Sequence, residues 1–424
     1  MIWLLIVVFV VTLLLRFPIA FALGLACLAY VIGEGIPLVI LPLKMYSGID
    51  VFVLLSIPGF ILAGNIMNHG GLTDRIINFS NRLLGHIRGG LALANIGASM
   101  LFAGISGTAV ADTASLGSVM IPAMKREGYP VAFSAAVTAS SSTVGPIIPP
   151  SVPMIIAGTL TGLSVGRLFL AGAIPGLMIG VGLLLVTYFI AKKRNYPKLE
   201  KSSPGEMIKG FLDAFWAILM MIIILFGIVG GIFTPTEASI IAVLYALLVG
   251  AFIYRKIKWN MISGIVIDSM KTSASLMVLV GFANIFGWIL IIEQVPQELA
   301  ATLLDITDTP WILLLLINLI LIMVGTFMET IAALLIMFPL LLKVATSVGV
   351  DPIQFAVIAV LNLIIGLTTP PVGVCLFVAS SIGNISMGKV VQAIWPFLLV
   401  CLAVLLLVTY VPQISLFLPG LFYD

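Results

Sequence analysis

Four short strings interrupt the apolar sequence with residues suited to holding ions. They are Gly104-Ile-Ser-Gly-Thr108, Ser140-Ser-Ser-Thr-Val-Gly-Pro-Ile-Ile-Pro-Pro-Ser151, Gly325-Thr-Phe-Met-Glu-Thr330 and Gly366-Leu-Thr-Thr-Pro-Pro-Val-Gly373. Proline has no N–H, so carbonyls near Pro149, Pro150, Pro370 and Pro371 lack intrahelical donors. Freed carbonyls can ligate a cation, and the N-terminus of the helix that resumes turns a positive end toward an anion. The strings recur at one displacement: Gly104 and Gly325, Gly145 and Gly366, and Pro149 and Pro370 each lie 221 residues apart. A single proline in an apolar helix, such as Pro58, Pro175 or Pro396, reads as a kink. Four breaks in two pairs at one displacement read as a binding site.

Carboxylates beside such breaks carry the next signal. Glu329 sits in the third string and Asp112 one turn past the first. A carboxylate at membrane depth costs at least ~2.5 kcal/mol on insertion scales and is by default a functional candidate. Glu329 therefore reads as a neighbour of cation or substrate, whereas Asp112 reads equally as a helix-terminal or hydrogen-bonding residue. Glu237 is a cap: Thr234-Pro-Thr-Glu237 places Thr at N-cap, Pro at N1 and Glu at N3. Gly104-Ile-Ser-Gly107 has the look of an intramembrane serine nucleophile, but both histidines, His69 and His86, precede it and none follows Ser106. Without a base that chemistry fails. There is no phosphate-binding loop, and Cys27, Cys375 and Cys401 all lie in apolar runs with no metal spacing.

The elements that position these residues must lie in a membrane. Of 424 residues, 61% are hydrophobic and 9% charged, with a mean hydropathy of +1.27. So few charges cannot coat a soluble surface, which excludes a cytosolic enzyme and a nucleic-acid binder. Runs such as Phe215–Ile232 and Phe397–Val408 are apolar on every face, the signature of membrane helices rather than an alternating barrel. Of the 20 Lys and Arg residues, only Lys44, Arg167 and Lys343 fall in one set of connections; the other 17 fall in the opposite set. The positive-inside rule makes the larger set cytoplasmic and both termini periplasmic. Asp74–Ile87 and Lys256–Asp268 are too polar to cross and are expected as interfacial helices, with Pro296–Asp308 an external equivalent.

The charge map also orients the breaks. Arg88 and Lys125–Arg126 flank the first hairpin, about 90–124, on the cytoplasmic side. Asp308 and Lys343–Asp351 flank the second, about 310–342, on the external side. The expected fold is an all-α integral membrane protein of two inverted-topology repeats, residues 1–191 and 211–424, joined by a cytoplasmic linker at 192–210. Each repeat carries a re-entrant helical hairpin and a broken transmembrane helix, about 130–162 and 352–383.

Several of these strings, in order, give the chain a family look. Pro58-Gly-Phe-Ile-Leu-Ala-Gly64, Gly104-Ile-Ser-Gly-Thr-Ala-Val-Ala-Asp112, Met124-Lys-Arg-Glu-Gly-Tyr-Pro130, Gly145-Pro-Ile-Ile-Pro-Pro-Ser151, Thr234-Pro-Thr-Glu-Ala238 and Thr368-Thr-Pro-Pro-Val-Gly373 carry it. Across essentially its whole length the chain resembles the large membrane subunit of tripartite ATP-independent periplasmic (TRAP) transporters. The resemblance implies an elevator-type fold of the ion-transporter superfamily and uptake of an organic acid across the bacterial inner membrane, usually coupled to sodium. It implies two protein partners, a small four-helix membrane subunit and a periplasmic substrate-binding protein. Because the chain begins with the large-subunit pattern, the small subunit is expected as a separate polypeptide. Membrane lipids surround the whole; no nucleic acid is involved.

On this reading two sodium sites follow from the breaks. The first uses Ser106, Gly107 and Thr108 with carbonyls near Gly145 and Pro149. The second uses Gly325, Thr326 and Met328 with Gly366 and Thr369. Substrate lies between them, against Thr108, Thr143, Thr326, Glu329 and Asn362. A stand-alone sodium- or proton-coupled carboxylate symporter uses the same physics, with Glu329 a natural proton relay. An ion channel also uses broken helices, though paired hairpins entering from opposite faces suit alternating access better.

Overall fold

The computed structural model describes residues 2–15, 17–102, 107–295, 297–298, 301–302 and 309–423. Every regular element among them is helical. The chain opens with α1 (Ile2–Leu14), α2 (Ile19–Gly33), α3 (Ile40–Ile49), α4 (Ser56–His69) and α5 (Leu72–Leu84). It continues through α6 (Gly90–Phe102), α7 (Ala109–Arg126), α8 (Val131–Ser141), α9 (Val152–Thr161) and α10 (Val165–Lys193). Then come α11 (Pro204–Val229), α12 (Pro235–Leu248) and α13 (Trp259–Ile292). The last group is α14 (Pro310–Phe327), α15 (Thr330–Ser347), α16 (Pro352–Gly366), α17 (Val374–Gly383), α18 (Met387–Tyr410) and α19 (Gln413–Tyr423). Among the described residues, eight helices are long and apolar enough to cross a membrane. The chain is an all-helical, multi-pass membrane protein, as its apolar runs require.

Helix boundaries repeat where the strings do. Helix α7 starts at Ala109 and ends at Arg126, while α15 starts at Thr330 and ends at Ser347, each boundary 221 residues later. Val131 and Pro352 open α8 and α16 at the same displacement. So do the cis peptide bonds Pro149–Pro150 and Pro370–Pro371. Past the breaks one residue has entered: α9 and α17 begin at Val152 and Val374.

The centre of the molecule is built from α8 and α16. Every residue of α16 from Ile353 to Gly366 is buried, and so is α8 from Phe133 to Ser141. Helices enclosed on all sides have no solvent-facing stripe, which is why neither shows an amphipathic pattern. The buried hydroxyls of Ser134, Thr138, Ser140 and Ser141 in α8 donate to backbone carbonyls one turn back. Each is tied to the preceding hairpin arm by side chains. Ser99 donates to Ser141 at 2.9 Å, and Asn362 donates to Asn318 at 2.8 Å. Ser141 and Asn362 are again 221 apart.

Two expectations change shape. Lys256–Asp268 is not a separate interfacial helix: from Trp259 it is the start of α13, which runs 34 residues without a break. Its polar turns continue directly into an apolar stretch with no proline between, and Gly264 within them does not end the helix. The 192–210 stretch is also shorter as a linker, since α10 extends to Lys193 and α11 begins at Pro204 behind a Ser203–Glu206 capping box. Helix α5 does bury one face through Leu72, Ile76 and Ile77. Most of Pro296–Asp308 lies outside the described residues.

Candidate functional site

Both hairpins turn at a helix N-cap, and the caps are equivalent residues. Thr108 caps α7, its Oγ1 accepting from the Ala111 N–H at 3.3 Å. Glu329 caps α15, its Oε2 accepting from the N–H groups of Ile331 at 2.9 Å and Ala332 at 3.3 Å. Helix-opening N–H groups have no intrahelical acceptor, and a side-chain oxygen at N-cap supplies one. The two positions differ by 221. They also meet, because one small cavity is lined by Gly107, Thr108, Pro146, Glu329, Thr330 and Leu367. Residues from both hairpin tips and both broken helices converge there.

Around this point the backbone is drawn tight. Gly325 and Gly366 touch through their main chains, and a Cβ on Gly325 would lie 2.9 Å from the Leu363 carbonyl and 3.2 Å from the Gly366 Cα. The Gly373 N–H, at the end of the second break, donates to the Thr326 carbonyl at 3.3 Å. In the first break Ser151 caps α9 by accepting from the Met154 N–H at 3.2 Å and donates to the Pro146 carbonyl. That carbonyl, freed by the prolines, is already engaged. A Cβ on Gly107 would strike the Val152 side chain, so the first tip rests on the start of α9.

The threonines are oriented usefully. Thr326 and Thr369 spend their hydroxyl hydrogens on the carbonyls of Met323 (2.7 Å) and Ile365 (2.8 Å). Thr143 does the same toward Ser140 at 2.7 Å. A hydroxyl that donates inward keeps its lone pairs for another donor or a cation. Gly145, Pro149 and Gly366 are buried, and Met328 is the half-buried residue after α14. Thr143 and Asn362 do not line the tip cavity; Asn362 is engaged with Asn318 and the Ile358 carbonyl. Ser106, with Gly104 and Ile105, lies outside the described residues.

Two features were not drawn from sequence. A cavity of about 140 Å³ adjoins the first tip, sharing Thr108 and lined by Asn65, Asn68 and Thr272 from α4 and α13. Asn65 also donates to Ser269 at 2.8 Å. The signal was present as polar residues three apart in apolar helices, Asn65 with Asn68 and Ser269 with Thr272. The second feature is Asp112, which is fully buried with its Oδ2 against Gly145, so closely that a Cβ on Gly145 would collide with it. Spacing on α7 cannot reveal that a carboxylate reaches a different helix.

Residues 6–414 match the model of the tripartite ATP-independent periplasmic transporter, DctM component. The chain belongs to this family. It is 44% identical over 408 residues to the sialic acid TRAP transporter large permease protein of Vibrio cholerae, covering 96% of this chain and 95% of that one. It is 40% identical to the C4-dicarboxylate TRAP transporter large permease protein of Pseudomonas aeruginosa, covering 90% and 89%. The fold is also similar to MtrF of Neisseria gonorrhoeae, from a class of antimetabolite efflux pumps, at a TM-score of 0.59 and 15% identity over 88% of this chain and 83% of that one. The TRAP family relatives are transporter permeases, so the cavity at Thr108 and Glu329 belongs to a transporter and not to an enzyme.

Proposed function

We propose that this TRAP large permease carries an organic-acid anion inward across the bacterial inner membrane, with sodium as co-transported ion, at the point where Thr108 and Glu329 meet, a cavity of only about 10 Å³ here that must widen to admit the acid. The supporting observation is the convergence of two equivalent N-caps, one neutral and one acidic, on one cavity. The chemistry of the two ends differs. Glu329 already fills the positive N-terminus of α15, so an anionic substrate is repelled there unless a cation lies between. The N-cap of α7 is the neutral Thr108, and the Asp112 carboxylate in its first turn lies against Gly145 and does not line the cavity, so the cavity side of this helix start can receive a substrate carboxylate. Sodium would bind first beside Glu329, Thr326 and the carbonyls of the second break, and its charge would admit the acid. Coupling then follows from electrostatics.

The two repeats lie inverted in the membrane, and the hairpin-bearing part moves as an elevator against the outer helices. The matching element boundaries support the repeat. Helices α14 and α15 are 18 residues each, about 27 Å long, so a re-entrant path requires them to tilt or to protrude beyond the membrane face. Relatives named for sialic acid and for C4-dicarboxylates support an organic acid as cargo. A small membrane subunit and a periplasmic binding protein complete the system.

Proteoliposome uptake tests the reading. With the binding protein and small subunit present, an inward sodium gradient should drive uptake, and the chain alone should transport poorly. Full uptake without sodium under a proton gradient would move the coupling role to proton transfer at Glu329. Equal uptake by the chain alone would favour the stand-alone symporter.

A further inference from the structure

A second cavity, of about 350 Å³, opens between α3 and α13 on one side and α9 and α15 on the other. Two of the three basic residues in the smaller charge set, Lys44 and Lys343, line it. They come from distant parts of the chain and meet at one end of the helices: Lys343 is in the last turns of α15 and Trp288 in the last turns of α13. The Lys44 ammonium lies 5.3 Å from the centre of the Trp288 ring. Asn284 donates to the Lys44 carbonyl at 2.7 Å, fixing α3 to α13 at that point. Among the described residues no carboxylate forms an ion pair with either lysine. Below the lysines the walls are apolar, with Leu160, Leu335, Ile336 and Leu340 among them.

We infer that this cavity is a binding site for an anionic phospholipid, with the headgroup phosphate between Lys44 and Lys343 and an acyl chain along Leu335–Leu340. Its size is in the ~300–1,000 Å³ range of small-molecule sites. The division of its lining decides the occupant. A small hydrophilic acid would satisfy the lysines but leave the apolar walls uncovered, whereas a lipid matches both halves. Trp288 places the basic end at headgroup depth, where tryptophan is enriched, and the attraction of lysine for anionic headgroups that fills basic pockets on the cytoplasmic side of membranes would act on an outer-leaflet lipid here. Under the transport reading this seam separates moving from static helices, so a bound lipid would tie them together; the binding itself does not depend on that reading.

Photoactivatable phosphatidylglycerol and phosphatidylcholine, each presented to the purified full chain in nanodiscs, provide the test. Phosphatidylglycerol should label peptides containing Leu335–Lys343 in preference to phosphatidylcholine, by about fivefold for each lysine. The double change Lys44→Gln, Lys343→Gln should abolish the preference, and Lys44→Arg, Lys343→Arg should retain it. Thermal melting checks that each variant is folded. Equal labelling by the two lipids, or a preference that survives the double Gln change, would overturn the site. Displacement of the label by millimolar sialic acid or succinate but not by unlabelled phosphatidylglycerol would also overturn it, marking a substrate vestibule instead.

Discussion

Position 108 is threonine and its equivalent, 329, is glutamate; both cap a helix and both face the same cavity. Glu329→Gln keeps an acceptor for the Ile331 and Ala332 N–H groups, so the loss in folding stability should stay within the ~0.5–2 kcal/mol of a weakened cap. Removing the negative charge should cost far more in ion binding. Sodium affinity, read from sodium-dependent thermal stabilisation, should fall by on the order of tenfold or more, the scale of one hydrogen-bonded charge. An unchanged sodium response in a folded variant would remove Glu329 from the cation site. Gly145 makes a different claim, because a Cβ there would collide with the Asp112 carboxylate. Gly145→Ala should destabilise by ~1–3 kcal/mol as overpacking. Gly264, in α13 with open space around it, is the control: Gly264→Ala should be neutral or gain up to ~1 kcal/mol of helix propensity. Thermal melts of the two variants side by side separate contact from composition.

The breaks were legible because glycine and proline impose them locally, whatever the surroundings. Caps were legible for the same reason: the Thr234–Glu237 capping box is formed as its spacing requires. What could not be read was anything decided by a partner helix. The Asn318–Asn362 pair joins α14 to α16 across 44 residues, and no pattern within either helix announces it. The start of α13 departs from the expected separate interfacial helix because polarity argues against burial but does not end a helix. Gly325 and Gly366 fall between these cases. Their displacement from Gly104 and Gly145 was visible, but only the packing shows main chain against main chain. Both neighbours of a Cβ on Gly325 are backbone, which cannot rotate away. Gly325→Ala should therefore part α14 from α16, costing ~1–3 kcal/mol and weakening sodium binding at the second break. Circular dichroism melts and sodium titration together check it. A variant as stable as wild type with an intact sodium response would show that the close approach is dispensable.

At the scale of the whole molecule, several residues of the larger basic set are held by contacts around one strap of chain. The segment after α10 is strapped to the loops before α6 and after α7: the Gly89 N–H and the Tyr129 hydroxyl both donate to the Pro197 carbonyl, at 3.1 and 3.0 Å, and the Leu199 N–H to that of Gly85 at 2.9 Å. Burial pushes the Tyr129 hydroxyl up to about 12, so it stays a neutral donor through the physiological range. Arg88 bonds Asn195, Arg82 donates to the Glu206 carbonyl at 2.6 Å, and Arg75 lies 3.6 Å from Asp213 while stacking on Tyr254 at 3.8 Å. All of these belong to the larger basic set. Arg167 and Lys192 stand near opposite ends of α10, whose 29 residues extend about 43 Å, enough to put the sets on opposite faces of a bilayer. One labelling experiment therefore orients everything. The three native cysteines are buried, so a membrane-impermeant maleimide should report only on introduced thiols. In intact spheroplasts Thr346→Cys, after Lys343, should react and Ser202→Cys, in the strap, should not; permeabilised cells should label both. The reverse pattern would turn the molecule over, and with it the assignment of the first hairpin to the cytoplasm.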